Sequence, residues 1–118
     1  MQKTVLIVED EFLMAMDLKL LLEHHGRRVI GPVATVRDAL RLLEDEVPTV
    51  ALLDVNLGTE LVTPLAEILK ARDVPFAVAS AYDKPEQFGG EVLAGAPNAG
   101  KPTGERRLLA ALAQLTVS

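Results

Sequence analysis

The chain has 118 residues and no cysteine, and its formal charge at neutral pH is -5. This length fits one domain of ordinary size, and the lack of cysteine excludes disulfides and thiolate metal sites. Lysine and arginine are spread along an acidic chain, which argues against a nucleic-acid surface, because phosphate binding needs a basic stripe. No apolar run approaches the roughly 20 residues of a membrane span. We therefore expect a cytoplasmic domain that binds neither nucleic acid nor membrane.

Apolar runs of strand type alternate with helical patterns from one end of the chain to the other. In chain order they predict a strand over 4–8, a helix over 11–26, a strand over 27–33, a helix over 36–46 capped by Thr35, a strand over 49–55, a helix over 60–73, a strand over 75–80, a short last strand over 96–100 and a helix over 104–115. Continuous apolar strands between helices are typical of a parallel sheet covered on both faces. The fold class is therefore α/β, with a doubly wound, five-stranded parallel sheet and about five helices.

The predicted fourth helix is the weak element of this pattern. It would lie within residues 84–95, where Gly89 and Gly90 fall in the middle. Each glycine costs about 1 kcal/mol relative to alanine inside a helix. We therefore expect little helical stability in this segment.

Polar residues follow the predicted strands at the edge where such sheets bind ligands, which is outside their carboxyl ends. They are Glu9, Asp10 and Glu11 after the first strand, Asp54 and Asn56 at the end of the third, Ser80 at the end of the fourth and Lys101 after the fifth. Each has an ordinary alternative, such as an acidic first helical turn for the first group or a turn residue for Asn56. Their convergence on one edge favours a functional site.

The stretch GAPNAGKPT, residues 95–103, matches most of the nucleotide-binding pattern G-x-x-x-x-G-K-[ST]. Pro102 stands where that pattern needs a hydroxyl for Mg²⁺, and proline also lacks the backbone N–H that would bind phosphate. A nucleoside triphosphatase is therefore improbable. Lys101 is then either a solvated loop lysine or a cation that reaches a phosphoryl group carried by Asp54.

Four segments, VLIVEDE, LLDVNLG, FAVASAY and GKPT, occur in an order and at separations that resemble the receiver domain of two-component response regulators. The resemblance covers essentially the whole chain. It implies a flavodoxin-like fold with strand order 2-1-3-4-5. It also implies a single receiver domain over residues 1–118, with no output domain.

The resemblance assigns a role to each matching residue. Asp54 matches the aspartate that accepts the phosphoryl group, and Ser80 and Lys101 match the residues that stabilise it. Glu9, Asp10 and Asp54 match the carboxylates that hold Mg²⁺, and Asn56 matches the residue whose backbone carbonyl binds the metal. Pro102 matches the proline that follows the lysine.

The chemistry of these residue types agrees with such roles. An aspartate can act as a nucleophile and carry an aspartyl phosphate, and Mg²⁺ prefers carboxylate, water and phosphate oxygens. The donor would be a phosphohistidine on a sensor histidine kinase or a histidine phosphotransfer protein. The protein would be a phosphoacceptor that catalyses only its own phosphorylation and dephosphorylation, and not an enzyme in the usual sense.

The chain departs from the family pattern in its switch region, which comprises Ala81, Tyr82, Asn98 and Pro102. Asn98 stands where typical receivers carry an aromatic residue, three positions before the lysine. VASAY, residues 78–82, partly matches the aromatic-Ala-Thr-Gly-aromatic signature of the variant receivers common in alphaproteobacteria. The usual rotating aromatic switch is therefore missing.

Two functions of different classes stay open. The first is a stand-alone response regulator or phosphorelay intermediate that signals by protein–protein interaction, with a weak homodimer as a further option. The alternative is a pseudo-receiver that acts as an interaction module without phosphorylation. The acid pair, Asp54, Ser80 and Lys101 favour the first, and Asn98 keeps the second open.

Overall fold

The computed structural model describes residues 3–57, 60–80, 91–101 and 104–115. Its elements are, in chain order, β1 (Thr4–Val8), α1 (Phe12–His24), β2 (Arg28–Val33), α2 (Val36–Asp45), β3 (Val50–Asp54), β4 (Asn56–Leu57), β5 (Glu60–Leu61), α3 (Thr63–Ala71), β6 (Phe76–Ala79), a 3₁₀ turn (Glu91–Leu93) and α4 (Glu105–Leu115). None of the described helices is long and apolar enough to span a membrane.

The main sheet is parallel, with strand order β2-β1-β3-β6, and it confirms the predicted α/β fold. Asn98 forms an isolated parallel bridge with Val78 on the outer edge of β6, in the place of the predicted fifth strand. This contact stays a single bridge because positive φ angles at Gly95 and Gly100 turn the backbone on both sides. Pro97, between them, has no N–H to extend the ladder.

The strands β1, β3 and β6 are buried on both faces, as the continuous apolar runs predicted. All residues of β1, β3 and β6 are buried. Leu6 and Val8 belong to a cluster with residues of α2 and α3, whereas Val5 and Ile7 pack with residues of α1 and α4. Since successive side chains of a strand point to opposite faces, each helix pair covers one face. Burial of one such aliphatic side chain contributes about 1.5–3 kcal/mol.

The segment after β3 differs from the sequence prediction. The sequence predicts a helix over 60–73, but β4 and β5 form an antiparallel pair, and α3 begins only at Thr63. Pro64 lies in the first turn of α3 as predicted. There its missing N–H costs nothing, because the first N–H groups of a helix have no partner within it.

The structure also bears on the predicted cap of α2 and on the weak fourth helix. The Thr35 hydroxyl accepts a hydrogen bond of 3.1 Å from the Asp38 amide, which confirms the predicted cap of α2. Within the weak segment, residues 84–90 lie outside the described residues, and a 3₁₀ turn follows at Glu91–Leu93.

Candidate functional site

The carboxyl ends of β1, β3 and β6 lie next to one another at one edge of the sheet. Val8 pairs with Leu53, and Asp54 pairs with Ala79. Glu9 and Asp10 follow β1 directly, Asp54 ends β3, and Ser80 follows β6. The parallel register therefore brings these polar residues together, although Glu9 and Ser80 are far apart in the sequence.

Three carboxylates form a cluster at this edge. Glu9, Asp10 and Asp54 each offer an oxygen, and these oxygens lie within 4.8 Å of one another. Glu9 and Asp54 expose only 3% and 2% of their surface, whereas Asp10 is exposed. The cluster thus has a buried base and an open side, from which a small ion or a phosphate group can approach.

The Glu9 side chain shows that the cluster fits a cation. Its Oε1 atom accepts a hydrogen bond of 3.2 Å from the Glu11 amide. Its Oε2 atom is buried and has no hydrogen-bond partner among the described residues. A buried carboxylate oxygen without a partner is costly, and a bound cation would remove that cost. The donor set consists of hard oxygens, which Mg²⁺ prefers.

The ionisation of Glu9 reflects its crowded position. Burial, together with the neighbouring Asp54 carboxylate, raises the pKa of Glu9 from 4.5 to about 7. A protonated Glu9 can donate to Asp54, whereas the ionised form only repels it. A bound divalent cation would reverse this balance and favour the ionised form.

Lys101 supplies the positive charge of the site. Its Nζ atom lies 2.9 Å from Asp54 Oδ2 and 3.5 Å from Glu9 Oε1. Burial works to lower the pKa of this ammonium group. The hydrogen bond and charge of Asp54, with the charges of Glu9 and Glu11, outweigh burial and raise the pKa above 10.5. Lys101 is therefore a fixed cation aimed at the Asp54 carboxylate, and not a solvated loop lysine.

The loop before Lys101 is held by contacts that the sequence did not reveal. The Asn98 carboxamide oxygen accepts hydrogen bonds from the Ser80 amide at 3.1 Å and the Gly100 amide at 2.9 Å. Arg107 of α4 donates to the Asn98 backbone oxygen at 3.1 Å. The sequence places Asn98 in the switch region by the absence of an aromatic residue alone, and it gives no signal for the role of Arg107.

The nucleotide-binding reading of residues 95–103 conflicts with this geometry. In that motif the glycine-rich loop joins a strand to a helix and wraps phosphates with its backbone. Here a 3₁₀ turn precedes the loop, Asn98 bonds the Gly100 amide, and the lysine contacts carboxylates.

Asn56 opens β4, two positions beyond Asp54, and Ser80 is 5% exposed beside the cluster. Ala81, Tyr82 and Pro102 lie outside the described residues. The described geometry thus brings together Glu9, Asp10, Asp54, Ser80 and Lys101.

The family model of the response regulator receiver domain matches residues 5–113. This chain belongs to that family. The fold and strand order described above are those of the family. Receiver domains interact with histidine kinases or phosphotransfer proteins, and they are signalling modules rather than enzymes of the usual kind.

Two relatives place the receiver within the family. The phyllosphere-induced regulator PhyR of Methylorubrum extorquens is 37% identical over 91 residues, which are 75% of this chain and 33% of PhyR. The solution structure of SdrG from Sphingomonas melonis Fr1 has a TM-score of 0.83 and 40% identity, and the match covers 98% of both chains. SdrG and PhyR belong to the alphaproteobacterial variant subgroup, which confirms the resemblance drawn from residues 78–82.

A second structure of SdrG, from Pseudomonas melonis Fr1, shows its BeF3-activated conformation. It has a TM-score of 0.79 and 41% identity, and the match covers 97% of this chain and 96% of that one. The chain spans about a third of the length of PhyR but nearly all of SdrG.

Proposed function

We propose that this receiver accepts a phosphoryl group on Asp54 from a partner phosphohistidine, with Mg²⁺ bound at the acidic cluster. It then signals through protein–protein contacts or passes the group on in a phosphorelay. We further propose that it acts as a single receiver domain in the cytoplasm. The likeness to SdrG over 98% of both chains supports the single-domain part of this proposal.

The observation that carries the proposal is the contact of 2.9 Å between Lys101 Nζ and Asp54 Oδ2. Asp54 is almost fully buried at the end of the central strand β3, and the Lys101 ammonium group lies directly against its carboxylate. A pseudo-receiver would need neither the aligned cation nor the buried, unpartnered Glu9 oxygen beside it.

The transfer is a displacement at phosphorus. A carboxylate oxygen of Asp54 forms the new O–P bond while the N–P bond of the phosphohistidine breaks. The electron pair of that bond returns to the imidazole nitrogen, which takes up a proton from solvent. Transfer of this kind depends mainly on positioning and on the neutralisation of charge on the phosphoryl oxygens.

The side chains of the site divide this work among them. Lys101 places its charge where a phosphoryl oxygen on Asp54 would lie, and the Ser80 hydroxyl can donate to a second oxygen. Glu9, Asp10, Asp54 and the Asn56 backbone carbonyl would hold Mg²⁺, which when bound neutralises charge on the phosphoryl group. The BeF3-activated structure of SdrG supports a site of this type, because trifluoroberyllate imitates a phosphoryl group.

Acetyl phosphate tests the proposal directly. After incubation with acetyl phosphate and Mg²⁺, intact mass spectrometry should show one added phosphoryl group on the wild type and none on Asp54→Asn. Asp17→Asn is the matched control, since Asp17 is exposed on α1, and it should behave as wild type. A wild type that stays unmodified, or an Asp54→Asn variant modified to the same extent, would support the pseudo-receiver instead.

A further inference from the structure

The Asn98 side chain joins two parts of the site that are far apart in sequence. Its carboxamide oxygen accepts from the Ser80 amide, which directly follows β6, and from the Gly100 amide, which directly precedes Lys101. The two distances are 3.1 and 2.9 Å. A single oxygen atom therefore sets the separation between the backbone of Ser80 and the backbone that carries Lys101.

Backbone contacts hold the first half of this loop against the sheet. The Val78 amide donates to the Pro97 oxygen at 2.9 Å, and the Ala99 amide donates to the Val78 oxygen at 2.8 Å. Beyond Ala99, the chain turns away at Gly100, where φ is +83°. The Asn98 side chain spans this point, so it continues the connection to β6 where the bridge ends.

Helix α4 supports the same loop from outside. Arg107 donates to the Asn98 backbone oxygen at 3.1 Å. A Cβ atom at position 100 would meet the Arg107 guanidinium, and the positive φ also favours glycine. The loop is therefore fixed from the sheet side by the Asn98 carboxamide and from the helix side by Arg107.

We propose that Asn98 is a positioning residue, which holds Ser80 and Lys101 at the separation needed to stabilise a phosphoryl group on Asp54. This inference rests on the proposed function. The contacts of its carboxamide oxygen run to the Ser80 and Gly100 amides, so Asn98 acts on the backbone that carries the two phosphoryl-stabilising side chains. A displacement of Ser80 or Lys101 is carried to the other through one side chain, and to α4 through Arg107.

The decisive variants are Asn98→Ala and Asn98→Asp. Alanine removes the acceptor oxygen, whereas aspartate keeps an oxygen at the same position on a side chain of the same length. We expect Asn98→Ala to lower the rate constant of phosphorylation at saturating acetyl phosphate by about 10-fold or more, as is found for residues that orient a ligand without being one. Asn98→Asp should recover most of that loss. Gln114→Ala removes an exposed amide from α4 and should leave the rate unchanged.

A separate measurement distinguishes positioning from general stability. Asn98→Ala keeps every carboxylate of the acidic cluster, so its Mg²⁺ affinity should fall far less than its rate; a loss of affinity that matches the loss of rate would contradict a positioning role. In the wild type, NMR couplings across hydrogen bonds should connect the Ser80 and Gly100 amides to the Asn98 side-chain carbonyl. This measurement needs no folded variant, and missing couplings would refute the inference.

The outcomes also separate this inference from the proposed function. If the wild type is phosphorylated and Asn98→Ala reacts at the same rate, the positioning role is wrong and the proposed function stands. If the wild type takes up no phosphoryl group, the proposed function fails, and the role of Asn98 fails with it.

Discussion

Glu9 and Asp54 lie side by side in a buried position, and two ionised carboxylates cannot share such a place without a cation. Lys101 compensates one negative charge at 2.9 Å from Asp54, but it lies farther from Glu9, at 3.5 Å. Burial and Asp54 accordingly raise the pKa of Glu9 to about 7. At the scale of single residues, the metal-free site is thus short of positive charge, which is the condition that a divalent cation corrects.

The raised pKa of Glu9 predicts how the stability of metal-free protein depends on pH. Between the ordinary value of 4.5 and about 7, folded protein holds a proton at Glu9 that the unfolded chain has lost. The free energy of unfolding must therefore fall as pH rises through this window. Glu9→Gln removes the titration, so in EDTA at pH 8 it should be more stable than wild type by about 1–3 kcal/mol, and this gain should vanish below pH 4.5.

Urea unfolding in EDTA across this pH range is the measurement. Glu67→Gln, which changes an exposed glutamate on α3, should keep the wild-type pH dependence. The same slope in Glu9→Gln and wild type would show that Glu9 is ionised in the folded protein throughout.

Asp10 is the exposed member of the acidic cluster, and it predicts a metal effect. Mg²⁺ at 100 times its Kd should stabilise the wild type by about 2.7 kcal/mol, because a ligand of the folded form raises the free energy of unfolding. Asp10→Asn removes one carboxylate charge from the cluster and should lose most of this increment, while its stability in EDTA does not fall. Thermal unfolding with and without Mg²⁺ measures both quantities, and an equal increment in the two proteins would exclude Asp10 as a ligand.

At the scale of elements, the sequence predicted best what depends on long apolar patterns. The strands β1, β3 and β6 are continuous apolar runs, and their burial on both faces follows from that pattern. The pair β4–β5 was missed because strands of two residues are too short to show a period of two. The fifth strand was reduced to one bridge by local backbone angles at Gly95 and Gly100, which composition alone does not give.

How well a site residue could be predicted also depends on its position relative to the strands. Residues at or just after the end of a strand, such as Asp54 and Ser80, could be placed at one edge from the parallel topology alone. The hydrogen bond of the Asn98 side chain to the Ser80 amide could not be predicted in this way. It joins backbone 18 positions away and depends on how the loop packs against β6.

The N-terminal cap of α2 predicts how much one side chain at a helix end contributes to stability. Thr35 accepts from the Asp38 amide, and Asp38 adds a negative charge to the first turn. Thr35→Ala leaves that amide without its partner and should lower the free energy of unfolding by about 1 kcal/mol. Thr35→Ser keeps the hydroxyl and should cost much less, as urea unfolding would show. Equal losses in both variants would mean that the threonine methyl group matters and the cap does not.

At the scale of the whole molecule, one sheet divides the core into two clusters while the site lies at one edge of that sheet. Leu22 is fully buried in the cluster with α1 and α4, and Leu69 is fully buried in the cluster with α2 and α3. Both lie near the carboxyl ends of their helices, which lead into the beginnings of β2 and β6. They are therefore near the edge of the sheet opposite to the acidic cluster.

This arrangement predicts that stability and metal binding can be changed separately. Leu22→Ala and Leu69→Ala should each lower the free energy of unfolding by about 2–5 kcal/mol, through lost burial and the cavity left behind. Both clusters include residues of β1 and β3, so each variant should still unfold in one cooperative transition. The increment from Mg²⁺ depends only on affinity and concentration, so it should equal that of the wild type in both. Urea unfolding followed by circular dichroism, with Mg²⁺ and with EDTA, measures the loss of stability, the cooperativity of the transition and the increment from Mg²⁺. A smaller increment in one variant alone would show that the helices on that face help to shape the acidic cluster, and that the sheet edge is not an independent support for the site.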